Sequence, residues 1–258
     1  MKNVKNIIGL VLFGLTSSSF AQRGLEIAKS AIDYDEGFES STVKLTMILT
    51  NRQGQESKRF MRNRTLELME DGDKSLIVFD SPKDVAGTAT LTYTHKTSPD
   101  DQWLYLPALK RVKRISSDNK SGPFMGSEFA FEDLSSQEVE KYTYKFIKEE
   151  TINGVSALVV ERDPEDAKSG YTRQVVWYNK DNYRLEKIDF YDRRNSLLKT
   201  LTYSKYKVFH DKHWRAGEMT MTNHQTGKKT KLIFEGYAFK TGLDDADFSQ
   251  NSLRRAGN

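Results

Sequence analysis

Apolar and polar residues alternate with period two along almost the whole chain beyond Thr42, and short polar turns interrupt the alternation at intervals. A segment with that period places successive side chains on opposite faces, so it lies as a strand with one face against a core. In residues 42–50, Val43, Leu45, Met47 and Leu49 share one face while Thr42, Lys44, Thr46 and Thr50 share the other. Further on, Thr88, Thr90, Thr92 and Thr94 stand against Ala89, Leu91, Tyr93 and His95, and this apolar side is expected to be buried. Residues 76–79 are apolar on both faces, which predicts a central strand covered from both sides. Other strands are expected at 55–69, 141–148, 155–162, 171–178, 183–191, 197–209, 213–223 and 229–239. Turn residues such as Asp71-Gly72-Asp73, Asn153-Gly154 and Asp211-Lys212 separate them. Consecutive strands joined by short turns neighbour each other in antiparallel order. The predicted fold is mainly β with few helices: a single curved antiparallel sheet or incomplete β-barrel with an N-terminal helix.

That helix is expected over residues 22–38, where Leu25, Ala28, Ala31 and Ile32 form one apolar face and Gly37 is a natural stop. Ahead of it, Lys2 and Lys5 precede an apolar run from Ile7 to Leu15 and a small-x-small site at Ser19-Phe20-Ala21. This is the pattern of a secretory signal peptide over residues 1–21, cleaved near Ala21/Gln22. The apolar run falls short of the ~20 residues that span a bilayer. Residues 22–258 carry no repeat or Pro/Ser-rich linker, so they are expected to form a single domain. Residues 243–254 are polar with anchors at Leu243, Phe248 and Leu253, and are expected to cross the sheet as irregular chain.

The chain has no cysteine, which excludes disulfides, thiolate metal sites and lipidation on cysteine. An exported chain of this kind relies on its own core. Formal net charge is +4, and losing Lys2 and Lys5 with the leader lowers it by two, so nucleic acid is not an expected partner.

Nothing in the sequence carries a catalytic pattern: no Gly-x-Ser-x-Gly elbow, phosphate loop, dinucleotide fingerprint or His-Glu-x-x-His is present. No residue is nominated as catalytic, and no cofactor or metal is expected. His210 and His213 are close in sequence but lack a third and fourth ligand, and read as solvated turn histidines. His95, on the apolar face of its strand, reads as a buried, hydrogen-bonded side chain. Asp244, Asp245 and Asp247 lack the glycine and closing glutamate of a calcium loop.

Residues 101–134 combine a Trp103-Leu104-Tyr105-Leu106-Pro107 strand, a basic return strand and a Gly/Pro-punctuated aromatic loop. Lys110, Arg111, Lys113 and Arg114 fit contact with anionic headgroups or an acidic partner, or else a charged strand that resists aggregation. In the loop 121–134, Phe124, Met125, Phe129 and Phe131 supply apolar bulk between Gly122-Pro123 and Gly126. Such a loop either plugs the end of a sheet or closes over an apolar ligand. Trp103, Tyr105, Phe124, Met125, Phe129 and Phe131 are the candidate ligand contacts, with a place in the core as the alternative.

The runs Trp103 to Pro107, Lys110 to Ile115, Gly122 to Phe129 and Phe131-Glu132-Asp133-Leu134, with the tail around Asp247-Phe248-Ser249, resemble the LolA-like outer-membrane lipoprotein-sorting proteins. The likeness is to their poorly characterised branch. It implies a periplasmic, non-enzymatic carrier: an open barrel whose concave apolar face takes lipid or lipoprotein acyl chains for transfer toward the outer membrane. It implies transient membrane-surface contact and a monomer, and, as an alternative role, an accessory or sensor beside an inner-membrane exporter of the RND type. The best-known carriers close with several helices, whereas only residues 22–38 read as a substantial helix here.

Overall fold

The computed structural model describes residues 8–256; Lys2 and Lys5 of the expected leader lie outside the described residues. One half of the sheet is a meander of β1 (Ser40–Thr50), β2 (Glu56–Leu66), β3 (Lys74–Ser81), β4 (Ala89–Tyr93), β5 (Asp101–Leu106) and β6 (Arg111–Ile115). The other half contains β7 (Tyr142–Ile152), β8 (Val155–Pro164), β9 (Tyr171–Asn179), β10 (Leu185–Asp192) and β11 (Leu197–Ser204). A hairpin of β12 (Lys207–Phe209) and β13 (His213–Arg215) interrupts this half, which β14 (Glu218–Asn223) and β15 (Lys229–Phe239) complete. The halves join where β1 pairs with β15, Ser41 opposite Phe239 and Thr50 opposite Lys229. The result is one 13-stranded antiparallel sheet whose edges are β6 and β7.

A single core cluster draws residues from both halves: Val43, Leu45 and Met47 of β1, Phe79 of β3, Val160 of β8, Val176 of β9 and Met221 of β14. Strands so far apart in the sheet share one core only because the sheet curls around it. It stops short of closing into a barrel, since β6 and β7 pair with their neighbours on one side only. Helix α1 (Ile8–Asp35) lies against β7, with Ile27 and Ala28 in the core. It runs through the expected cleavage point without a break and ends at Asp35, sooner than residue 38. Past its end, Gly37 takes a left-handed φ of +94° and donates its N–H to Glu67 Oε1 at 2.8 Å. A glycine tolerates that conformation without strain.

The apolar face of β4 is buried as expected, but so is its threonine face: Thr90 and Thr92 are as inaccessible as Ala89 and Leu91. The threonines face the interior, where Gln102 Nε2 donates to Thr92 Oγ1 at 3.3 Å and to Phe131 O at 2.9 Å. Ala89 and Leu91 face the other way, into a second core with Leu76, Val78, Tyr105, Phe248 and Leu253. β3 is thus covered on both sides, as its apolar run predicts. The covering tail is not irregular chain: it forms a 3-10 turn (Asp245–Phe248) and the short helix α2 (Gln250–Ala256). Asp244 caps the turn by accepting from Ala246 N at 2.9 Å, which accounts for the acidic cluster.

Two expected strands, 197–209 and 213–223, are each broken in two. Lys205 has φ +56°, and Gly217 N–H donates to Lys205 O at 3.1 Å. A Cβ at position 217 would come 2.8 Å from that oxygen, so this approach requires glycine. The bend takes β12 and β13 out of the sheet. It also corrects the reading of His213, which is 4% exposed and stacks on Phe239 at 5.8 Å with Nδ1 3.4 Å from Asp35; His210 is exposed. Among the described residues no group of three or more His, Asp or Glu side chains is placed to hold a metal ion. His95 is half-buried and bonded to Asp71 at 2.7 Å. Burial opposes its charge, but the bonds to Asp71 and Asp101 outweigh it and raise its pKa.

Candidate functional site

The second half of α1 presents Ala28, Ala31, Ile32 and Asp35 toward the sheet, a spacing that puts them on one helical face. Two of the four are alanines, and between them and the concave face remains a cavity of about 410 Å³. Ligand pockets typically measure ~300–1,000 Å³. Its sheet wall is rich in tyrosine: Tyr144 from β7, Tyr178 from β9, Tyr203 from β11 and Tyr237 from β15. Each occupies the inward parity of its strand, alongside core residues such as Phe146, Val176 and Leu201. Burial raises the pKa of all four, that of Tyr237 to about 12, so the hydroxyls stay neutral. Tyr144 donates to Val139 O at 3.1 Å, and Tyr206, at the base of the β12–β13 hairpin, donates to Leu185 O.

Of the cations that line the cavity, Lys96, Arg162, Arg184 and Arg215, only Arg162 is buried. Arg162 of β8 follows Leu158 and Val160 on the inward parity and is 4% exposed. Its Nε and Nη2 donate to Gln174 Oε1 at 2.9 and 2.6 Å, directly across the β8–β9 pair, and its guanidinium lies 4.7 Å from the centre of the Tyr142 ring.

Six acids line the same cavity, several of them paired or hydrogen-bonded. Asp35 is paired with Arg215 at 2.5 Å, Asp71 with His95, and Glu67 accepts from the Gly37 and Glu39 N–H groups. Asp73 is raised to about 6, chiefly by burial, against hydrogen bonds from Leu68 N and Ser136 Oγ. Glu138 is raised to about 7, again by burial and then by the nearby Asp73 carboxylate.

The loop 121–134 is held against the interior on several sides. Phe124 is 1% exposed and packs on Phe79 and Phe131, ring centres 5.7 and 5.6 Å apart; Phe129 is buried beside them. Asp133 accepts from Lys199 Nζ at 2.7 Å, from Tyr171 Oη at 2.8 Å and from Ala130 N at 2.7 Å. The Lys199–Asp133 pair is almost wholly buried, with side chains 5% and 6% exposed. Glu128 accepts from Asn223 Nδ2 at 2.7 Å, and Glu132 from Gly170 N at 2.9 Å. The loop bridges the open edges and packs as a plug rather than hanging over the opening.

Of the six residues expected to contact ligand, none lines the cavity. Phe124, Phe129 and Phe131 belong to the main core, with Met125 half-buried against it. Trp103 and Tyr105 lie on the other face of β5, in the second core under the C-terminal tail. Lys110, Arg111, Lys113 and Arg114 are exposed on or beside the edge strand β6, and Arg114 pairs with Asp101. The cavity tyrosines and Arg162 carry a sequence signal that periodicity alone does not report: bulky polar residues on the apolar parity of successive strands.

A curled, unclosed antiparallel sheet holding an N-terminal helix and a cavity between them defines the LolA-like class of fold. The LolA superfamily protein NE2245 from Nitrosomonas europaea shares it, with a TM-score of 0.71 over 90% of this chain and 99% of that one at 20% identity. A domain from Vibrio parahaemolyticus described as an outer membrane lipoprotein-sorting protein domain is 56% identical, with a TM-score of 0.90 over 91% of this chain and 100% of that one. A DUF1329 family protein from Desulfovibrio piger is 30% identical, with a TM-score of 0.86 over 91% and 99% of the two chains. A family model described as "uncharacterized protein" matches residues 71–255. No curated protein matches the chain. The chain belongs to the LolA-like outer-membrane lipoprotein-sorting family.

Proposed function

We propose that the protein is a periplasmic, non-enzymatic carrier that takes the acyl chain of a lipid or lipoprotein into the cavity between α1 and the concave face, for transfer toward the outer membrane. The observation that carries this reading is the cavity itself. It is about 410 Å³, walled by Ile32, Leu185, Met219 and a group of tyrosines, and bounded on one side by a helix rather than a strand. The helix wall can yield without breaking the hydrogen-bonded ladder, which suits a site that loads and unloads. The printed description of the Vibrio parahaemolyticus domain supports the same role. Cleavage near Ala21/Gln22 leaves the part of α1 that walls the cavity, so the exported chain keeps its site. The exposed set Lys110, Arg111, Lys113 and Arg114 is the surface for anionic headgroups during transfer.

The test is purification of the exported protein without detergent, followed by solvent extraction and mass spectrometry. Acyl-bearing molecules are expected in near-stoichiometric amount, and they are expected to be lost from Ala31→Trp, whose indole fills the cavity. Extracts repeatedly free of acyl chains from the unmodified protein would overturn the reading.

A further inference from the structure

A buried guanidinium with no carboxylate partner is a costly thing to build, because taking a charge out of water is repaid only by compensating charge and hydrogen bonds. Arg162 is in that position. Its neighbours are neutral: Gln174 accepts from Nε and Nη2, and the groups that act on its charge are the tyrosines Tyr142, Tyr178, Tyr144 and Tyr203. The contrast with the other buried cation on the same face is direct. Lys199 lies in the same transverse row of the sheet, since Gln174 and Lys199 both stand opposite Phe190, yet Lys199 has its own carboxylate in Asp133. The fold supplies a counter-ion to one cation of the row and leaves the other facing the cavity.

A guanidinium has five N–H donors in a planar fork suited to two oxygens of an oxyanion. Gln174 takes two of Arg162's donors through one oxygen, which fixes the plane of the fork. The Tyr178 hydroxyl accepts from Arg162, and it and the Tyr203 hydroxyl, both raised in pKa and therefore protonated, keep an O–H to donate on the same wall. The lining does not repel an anion as strongly as its acids imply, because Asp35 is paired with Arg215, Asp71 with His95, and Lys96 and Arg184 line the same cavity.

We propose that Arg162, with Tyr178 and Tyr203, is the seat of an oxyanion, a carboxylate or phosphate, carried at the end of the acyl chain that occupies the cavity. The cargo is then an anionic amphiphile bound with its charged end buried. This rests on the acyl-carrier reading and narrows it to one chemical class. A neutral chain of equal length leaves the guanidinium without its counter-charge and binds more weakly.

The experiment compares dodecanoate with dodecanol on the delipidated protein by calorimetry at pH 7. Dodecanoate is expected to bind at least about tenfold more tightly, the effect of one charge-assisted hydrogen bond of roughly 1.4 kcal/mol. Arg162→Gln is expected to abolish the preference, chiefly through lost dodecanoate affinity, and Arg162→Lys to keep part of it. Equal affinity of the unmodified protein for the two ligands overturns this inference and leaves the carrier reading standing; that comparison needs no variant to fold. Binding of neither ligand overturns the carrier reading and the inference with it. Inorganic phosphate at millimolar concentration is expected not to displace dodecanoate. Displacement would show a site for free oxyanions and overturn the assignment to an amphiphile.

Discussion

The loop 121–134 yields the sharpest stability prediction, through Phe124→Ala. The side chain is fully enclosed and meets two other rings, Phe79 at 5.7 Å and Phe131 at 5.6 Å. Transfer of a phenylalanine side chain out of water contributes ~1.5–3 kcal/mol. Each aromatic pair adds ~0.5–1.5 kcal/mol, and the surroundings collapse only partly into the space left behind. The sum brackets a loss of about 4 kcal/mol, within the ~3–5 kcal/mol typical of buried Phe→Ala changes. In a domain of this size that lowers the melting temperature by roughly 8–16 °C. Urea titration followed by tryptophan fluorescence and far-ultraviolet circular dichroism measures it, with Met125→Ala as the comparison. Met125 is only half-buried, so its truncation is expected to cost clearly less. If Phe124→Ala cost under about 1 kcal/mol while release of a bound acyl chain accelerated, the loop would be a moving cover and the packing argument would be refuted.

Two further predictions follow from close approaches and from buried acids. A Cβ at Gly24 would lie 2.8 Å from Phe146 N and 2.9 Å from Lys145 C, both main-chain atoms of β7, so Gly24→Val is expected to push α1 off the sheet edge. Hydrogen exchange would then show lost protection over residues 22–35 with the sheet unaffected; unchanged protection there would contradict the contact. Asp73 and Glu138 have native pKa values of about 6 and about 7, above the ordinary 3.8 and 4.5, so the native state binds protons more tightly than the unfolded chain. Their contribution to stability is complete below about pH 4 and is lost as the pH rises through 6 and 7. The Asp73→Asn, Glu138→Gln double variant removes that dependence, and urea midpoints at pH 4.5 and 7.5 should differ less for it than for the unmodified protein. Asp71, lowered to about 2 through its bond with His95, acts in the opposite sense and only in stronger acid. An equal difference for variant and unmodified protein would remove these two carboxyls from the account.

Strand positions are readable in this chain because period two has one physical meaning, and β15 lies where the alternation puts it. What alternation leaves open is what each face meets. The threonine side of β4 reads as solvent-facing, yet it is the interior side, because Gln102 and the loop bring partners to its hydroxyls. Trp103 and Phe124 look like parts of one ligand-binding patch, but they lie on opposite faces of the sheet. The break between β11 and β12 depends on a single left-handed residue, Lys205, which no periodicity reports. Arg162 is legible in the sequence: an arginine two places beyond Val160, on the parity that Leu158 and Val160 bury, has to be accommodated inside.

The pairing of β1 with β15 bears on the order in which the molecule comes into being. β1 is the first strand synthesised and β15 the last, yet they are neighbours at the middle of the sheet. Until the final thirty or so residues emerge, β1 keeps one unsatisfied edge, and a chain stopped short would carry that edge exposed and prone to pair with another copy. Helix α1 has the same difficulty, since the strand it docks on, β7, begins at Tyr142. A chain built this way has little to gain from folding as it is made and is suited to staying unfolded until it is whole, which is the condition under which a secreted protein crosses a membrane.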